Sequence, residues 1–70
     1  MKVSYKTSLM SVKTAIGLKK NEMNRLWHYL EEKEEQHGKD LTEVKDIVTT
    51  VIQDMERAIE RIKKELEANG

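Results

Sequence analysis

Residues 36–44 read QHGKDLTEV, and this stretch decides the fold. Gly38 can adopt the left-handed conformation that ends a helix at little cost. Asp40 has a side-chain oxygen suited to an N-cap, and Glu43 follows three residues later, the spacing of a capping box. His37 falls in the last turn of the preceding segment, where a cation suits the helix dipole. A stop, a short loop and a start in so few residues describe an αα-hairpin.

Working outward, the segment after the turn carries a helical repeat. Leu41, Val44, Val48, Val51, Met55, Ala58 and Ile62 recur at steps of three and four. Ile47, Ile52, Ile59 and Leu66 widen that stripe. The apolar positions do not alternate by two, which excludes a strand. The segment before the turn repeats with the same period through Leu9, Val12, Ile16, Met23, Leu26 and Leu30, with Lys19 interrupting the seam. Folding the chain back at residue 39 sets Leu30 opposite Val48, Met23 opposite Met55 and Ile16 opposite Ile62, so apolar residues face apolar residues.

The expected organisation is one all-α domain over residues 1–70: an N-terminal arm at 1–8, helix 1 at 9–37, a turn at 38–40 and helix 2 at 41–68. Gly17, Asn21 and Asn24 are weak helix formers and mark 17–21 as the place for a kink. Val3 and Tyr5 alternate with polar residues, a pattern that fits a short strand, an arm or a frayed end.

Composition agrees with long helices. Charged residues make up 37% of the chain, with no proline and no phenylalanine. There is no cysteine, so neither a disulfide nor a thiolate metal site can support so small a domain. No apolar run is of membrane-spanning length and no signal-peptide pattern occurs, so a soluble cytoplasmic protein is expected.

Two helices cannot enclose a core. Helix 2 has apolar residues on four of its seven heptad positions, wider than one antiparallel neighbour can cover. Burying one aliphatic side chain contributes about 1.5–3 kcal/mol, so a wet flank forfeits much of the stability of a hairpin. The expected solution is a homodimer forming a four-helix bundle. Residues Val12, Ile16, Met23, Leu26, Trp27, Leu30, Ile47, Val51, Ile52, Met55, Ile59, Ile62 and Leu66 would form the oligomer or partner interface. Charge favours an antiparallel pair. Residues 1–23 and 55–70 carry nine basic and five acidic groups, whereas residues 24–54 carry four basic and eight acidic groups.

Each chemical motif has a plainer reading beside the functional one. Trp27, His28 and Tyr29 follow from helical spacing as a ring against the seam with its N–H at the rim, and they also suit a partner anchor. Glu34-x-x-His37 is half of a di-iron carboxylate motif, but Val44 and Leu41 face it where a glutamate would be needed. His28 and Glu32 read as a surface pair. No metal or other cofactor is expected, and nothing supports catalysis: no nucleophile–base set can be named and there is no phosphate loop.

Lys6, Lys13 and Lys20 recur every seven residues, with Lys19 and Arg25 nearby. Together with Tyr5 they form a possible anion or partner surface, and such stripes can track phosphates. The stripe is poor in arginine, which limits base reading. The sequence therefore points first to a non-enzymatic protein–protein interaction module, an adaptor, inhibitor or regulator that self-associates. The alternative is a nucleic-acid-binding regulatory dimer. "EEKEEQH" at 31–37 sets four acids at the unfavourable end of helix 1, a candidate docking tip.

Overall fold

The structure, a computed structural model, describes residues 4–68. It consists of two helices, α1 (Tyr5–His37) and α2 (Thr42–Ala68), folded into an antiparallel hairpin. The hairpin measures 53 × 22 × 11 Å, one helix thick and two helices wide.

Gly38 ends α1 as its sequence context implies. Its φ of 61° and ψ of 35° are left-handed, and its N–H and that of Lys39 both donate to the carbonyl of Glu34. The Lys39 bond is the six-to-one link of a Schellman motif and the Gly38 bond the five-to-one link of an αL cap, and together they satisfy one of the carbonyls that the helix end would leave open.

The start of α2 lies one residue later than expected, at Thr42. Leu41 supplies the first helical carbonyl and accepts the N–H of Lys45 at 2.9 Å. Having no side-chain oxygen, Leu41 cannot cap the helix itself. Asp40 does so from one residue further out, its Oδ1 accepting the N–H of Thr42 at 2.9 Å. Glu43 falls in the first turn, where its charge suits the dipole.

Two expectations for helix 1 are corrected. Residues 5–8, assigned to an arm, are helical. Ser4 caps them, its hydroxyl oxygen accepting the N–H of Thr7 at 3.1 Å. The Tyr5 hydroxyl donates to Glu65 Oε1 at 2.9 Å and ties the first turn to the end of α2. Residues 1–3, the rest of that arm, lie outside the described residues. No break occurs at 17–21, and α1 runs uninterrupted from 5 to 37. A weak propensity of a fraction of a kcal/mol per residue is overridden when a long helix lies against a partner.

The inner face of α1 agrees with expectation in one row and differs in the other. Leu9, Ile16, Met23 and Leu30 face α2 and are half-buried. The other inner row is Lys13, Lys20, Trp27 and Glu34, all half-buried. Val12 and Leu26, expected in the seam, stand 48% and 49% exposed on its flank. On α2 the inner rows are Leu41, Val48, Met55, Ile62 and Lys45, Ile52, Ile59, Leu66. Its exposed apolar flank is therefore Val44 and Ile47, whereas Ile52, Ile59 and Leu66, which widen the stripe with Ile47, are half-buried. The antiparallel register is close to that expected: Lys20 reaches Glu56 at 3.8 Å and Glu34 reaches Lys45 at 2.5 Å.

Among the described residues none is fully buried. This follows from the architecture, because every side chain between two helices has an open side above or below.

The two internal glycines predict opposite responses to the same substitution. An added Cβ meets no atom within 4 Å at Gly17 or Gly38, so backbone conformation alone decides. Gly38→Ala destabilises by about 1 kcal/mol through its left-handed φ. Gly17→Ala stabilises by about 0.5–1 kcal/mol through helix propensity. Urea denaturation at one fixed protein concentration checks both signs.

Candidate functional site

The hairpin has two broad sides, and they differ chemically. On one side, a groove of about 350 Å³ between the helices is lined by Ala15, Ile16, Lys19, Val51, Asp54, Met55 and Ala58. Five of these are apolar, with Lys19 and Asp54 on the margins. On the other side, a groove of about 310 Å³ is lined by Asn24, Trp27, His28, Thr49, Ile52, Gln53 and Glu56. Here polar groups surround one indole and one isoleucine.

Heptad spacing extends each side along the molecule. Val12 and Leu26 lie seven residues to either side of Lys19, and Tyr5 lies seven before Val12. Val44 precedes Val51 by seven, and Ile47 precedes Asp54 by seven. Tyr29 follows Ala15 by two heptads. Six of the eight exposed large hydrophobic residues are thus in register with the apolar groove: Tyr5, Val12, Leu26, Tyr29, Val44 and Ile47. The other two, Met10 and Leu18, share a shallow depression along α1 with Thr7, Ser11, Thr14 and Ala15. The residues in register with the polar groove include Asn21, Glu31, Asp46, Glu60 and Lys63, together with Met10, two heptads before Asn24.

The best-defined polar cluster sits at the turn. Glu34 closes one helix with its backbone and opens the next with its side chain. Its Oε2 accepts the Leu41 N–H at 2.6 Å, and its Oε1 meets Lys45 Nζ at 2.5 Å. Both side chains are only 17% exposed, the most shielded ion pair between the helices among the described residues. Lys45 also lies over the Trp27 ring, 5.2 Å from its centroid, a cation–π contact. Trp27 meets His28 edge-on at 5.3 Å.

The bond from Lys45, then that from Leu41, holds the Glu34 carboxyl below its ordinary value of 4.5. The Glu34 carboxylate in turn raises Lys45 above 10.5. The Thr42 hydroxyl and N–H lower Asp40. Committed to these donors, Glu34 is not an open ligand beside His37. Among the described residues no three of His, Cys, Asp and Glu gather where they could hold a metal ion.

The lysine stripe is divided by the fold. Lys13 and Lys20 turn toward α2 and are half-buried, with Lys20 paired to Glu56. Lys6, Lys19 and Arg25 are exposed, and Lys19 pairs with Glu22 at 3.6 Å. The seven-residue repeat of lysines thus follows the inner row of α1. The Glu34–Lys45 pair was not singled out from the sequence. Its only signal was that each residue continues a heptad row, Glu34 after Trp27 and Lys45 before Ile52.

No described helix is long and apolar enough to cross a membrane. No protein-family model matches the chain, and neither a curated protein nor a solved structure shows significant similarity to it.

The turn cluster predicts an acid-sensitive hairpin. A carboxyl lowered in the folded state contributes stability that is complete above its unfolded value, near 4.5 for Glu34, and is lost as pH falls through the folded value. Glu34→Gln removes this contribution. Thermal melts at pH 7 and pH 3 should show a smaller drop in Tm for the variant than for the parent. Equal drops would mean that the pair does not hold the turn.

Proposed function

We propose that this chain is a small non-enzymatic interaction module, an adaptor, inhibitor or regulator, that self-associates through its apolar surface and binds another protein in the cytoplasm. The observation that carries this reading is the absence of any fully buried residue among those described, beside eight exposed large hydrophobic side chains. Exposed apolar surface on this scale marks an interface. Closure as a four-helix bundle would give Ile16, Met23, Leu30, Val51, Met55 and Ile62 the burial that a lone hairpin denies them.

The surface left for a protein partner would be polar and partly aromatic. Trp27 lines an open groove beside His28 and Gln53, and an indole half-open in such a setting is a common anchor of recognition. The acidic tip at Glu31, Glu32 and Glu35 adds charge of one sign at the turn. The lysine stripe gives the nucleic-acid reading less support, because Lys13 and Lys20 turn inward and Lys20 is already paired.

Light scattering across a concentration series at two salt levels tests the self-association. The expected result is a stable mass of twice the 8.2 kDa chain, and a monomer throughout would refute it. A labelled duplex or single strand should show no micromolar binding at low salt. Binding that falls steeply with salt, and is lost in a Lys13→Glu, Lys20→Glu variant, would favour a nucleic-acid-binding dimer.

A further inference from the structure

The two sides of a hairpin need not be alike, and here they differ enough to say which one a second copy covers. One side carries Val12, Leu26, Val44, Ile47 and Tyr29 around the apolar groove of Ala15, Ile16, Val51, Met55 and Ala58. The opposite side carries Asn24, Thr49, Gln53 and Glu56, with Lys20 reaching across it to Glu56. Resting on the self-association reading, we infer that two copies pair face to face through the apolar side alone, with their turns at opposite ends. The groove containing Trp27 and His28 then stays outward on both copies.

Three observations name a second copy as the occupant. The first is charge. The open-end half of the chain has nine basic and five acidic groups, and the turn half has four basic and eight acidic groups. The excess is equal and opposite at the two ends, so the best electrostatic match for one hairpin is the same hairpin reversed. A parallel pair would stack like on like. Exposed charges are screened within about 10 Å and individually weak, so they select orientation while apolar burial drives association.

The second is area. A side 53 Å long and 22 Å wide exceeds the roughly 800 Å² per partner of a standard stable interface.

The third is closure. A hairpin with a continuous apolar surface on both sides would stack without end. Here only one side has such a surface, since the opposite side exposes only Met10 among the large hydrophobic residues described, and a two-fold pairing consumes it on both copies at once, as an isologous interface requires. In the reversed pairing about a two-fold axis across the hairpin, α1 crosses α1 of the other copy and α2 crosses its counterpart. Every neighbouring pair of helices is then antiparallel, the arrangement of an up-down bundle. Val12 and Leu26, which flank Lys19 symmetrically, would come to opposite ends of one shared row.

The test compares Val51→Glu and Leu26→Glu, on the apolar side, with Thr49→Glu and Asn24→Glu, on the polar side. Mass is read by sedimentation equilibrium and helicity by circular dichroism. The parent and the polar-side variants should be dimers, and the apolar-side variants should fall to the monomer mass. The inference is overturned if the apolar-side variants remain dimeric or the polar-side variants dissociate. A parent that is monomeric at every concentration removes the self-association reading itself, which is a different failure.

A glutamate at position 51 can also unfold the hairpin, so a gentler readout accompanies it. Leu26→Cys and Asn24→Cys replace exposed side chains in a chain with no other thiol. Thiol labelling should slow with rising protein concentration at position 26 and not at position 24, and the reverse pattern would overturn the choice of side. A spin label on Lys39→Cys reads the orientation. The two labels should lie close to the 53 Å length of the hairpin apart. Labels within about 10 Å, the spacing of packed helices, would establish parallel pairing and overturn the reversed one.

Discussion

Two helices side by side have no interior. A side chain between them touches a neighbour on one flank and remains open above or below, and among the described residues none is fully buried. The remaining features of the structure can be understood as responses to that constraint. Inner positions tolerate Lys13, Lys20 and Lys45 because their aliphatic stems can lie along the seam while the ammonium reaches the rim. In a closed core the same residues would face desolvation without relief. Most of the apolar exposure, though not that of Met10 and Leu18, is gathered on one broad side, where a single partner can relieve it.

The turn compensates for the missing core in another way. With little burial to fix the angle between the helices, Gly38 and Glu34 set it locally. Gly38 provides the left-handed residue that reverses the chain. Glu34 joins the two helices through a backbone bond and an ion pair at its single side chain. The Tyr5–Glu65 bond does the corresponding work at the open end. The hairpin is therefore pinned at both extremities and held between them by half-buried Ile, Met, Val and Leu.

The parts of this fold that were legible in the sequence are those governed by local chemistry or strong period. Gly38, the position of the turn and the long apolar stripe of helix 2 were readable because each rests on one residue type or a sustained repeat. The inner face of helix 1 was legible only in part: Leu9, Ile16, Met23 and Leu30 follow the same period and do face α2, but its second row was not readable. Reading it as Val12 and Leu26 assumes that apolar residues point to the neighbouring helix, and in a two-helix layer they point as readily to a face still to be covered. Lys13, Lys20 and Trp27 occupy the inner row instead. The first turn was missed because Val3 and Tyr5 suggested alternation, while the signal that mattered was Ser4 as a cap. The apolar and polar sides could not be separated from the sequence before it was known which rows meet. Once they are known, the same residues distinguish the sides.

If the apolar side is closed by a second copy, folding and association are one process, and stability depends on protein concentration. The direct measurement is the thermal midpoint followed by circular dichroism over a hundredfold range of concentration at constant pH and salt. The midpoint should rise steadily with concentration. A midpoint that does not move would mean that the hairpin stands alone with its apolar side exposed, contradicting the central claim.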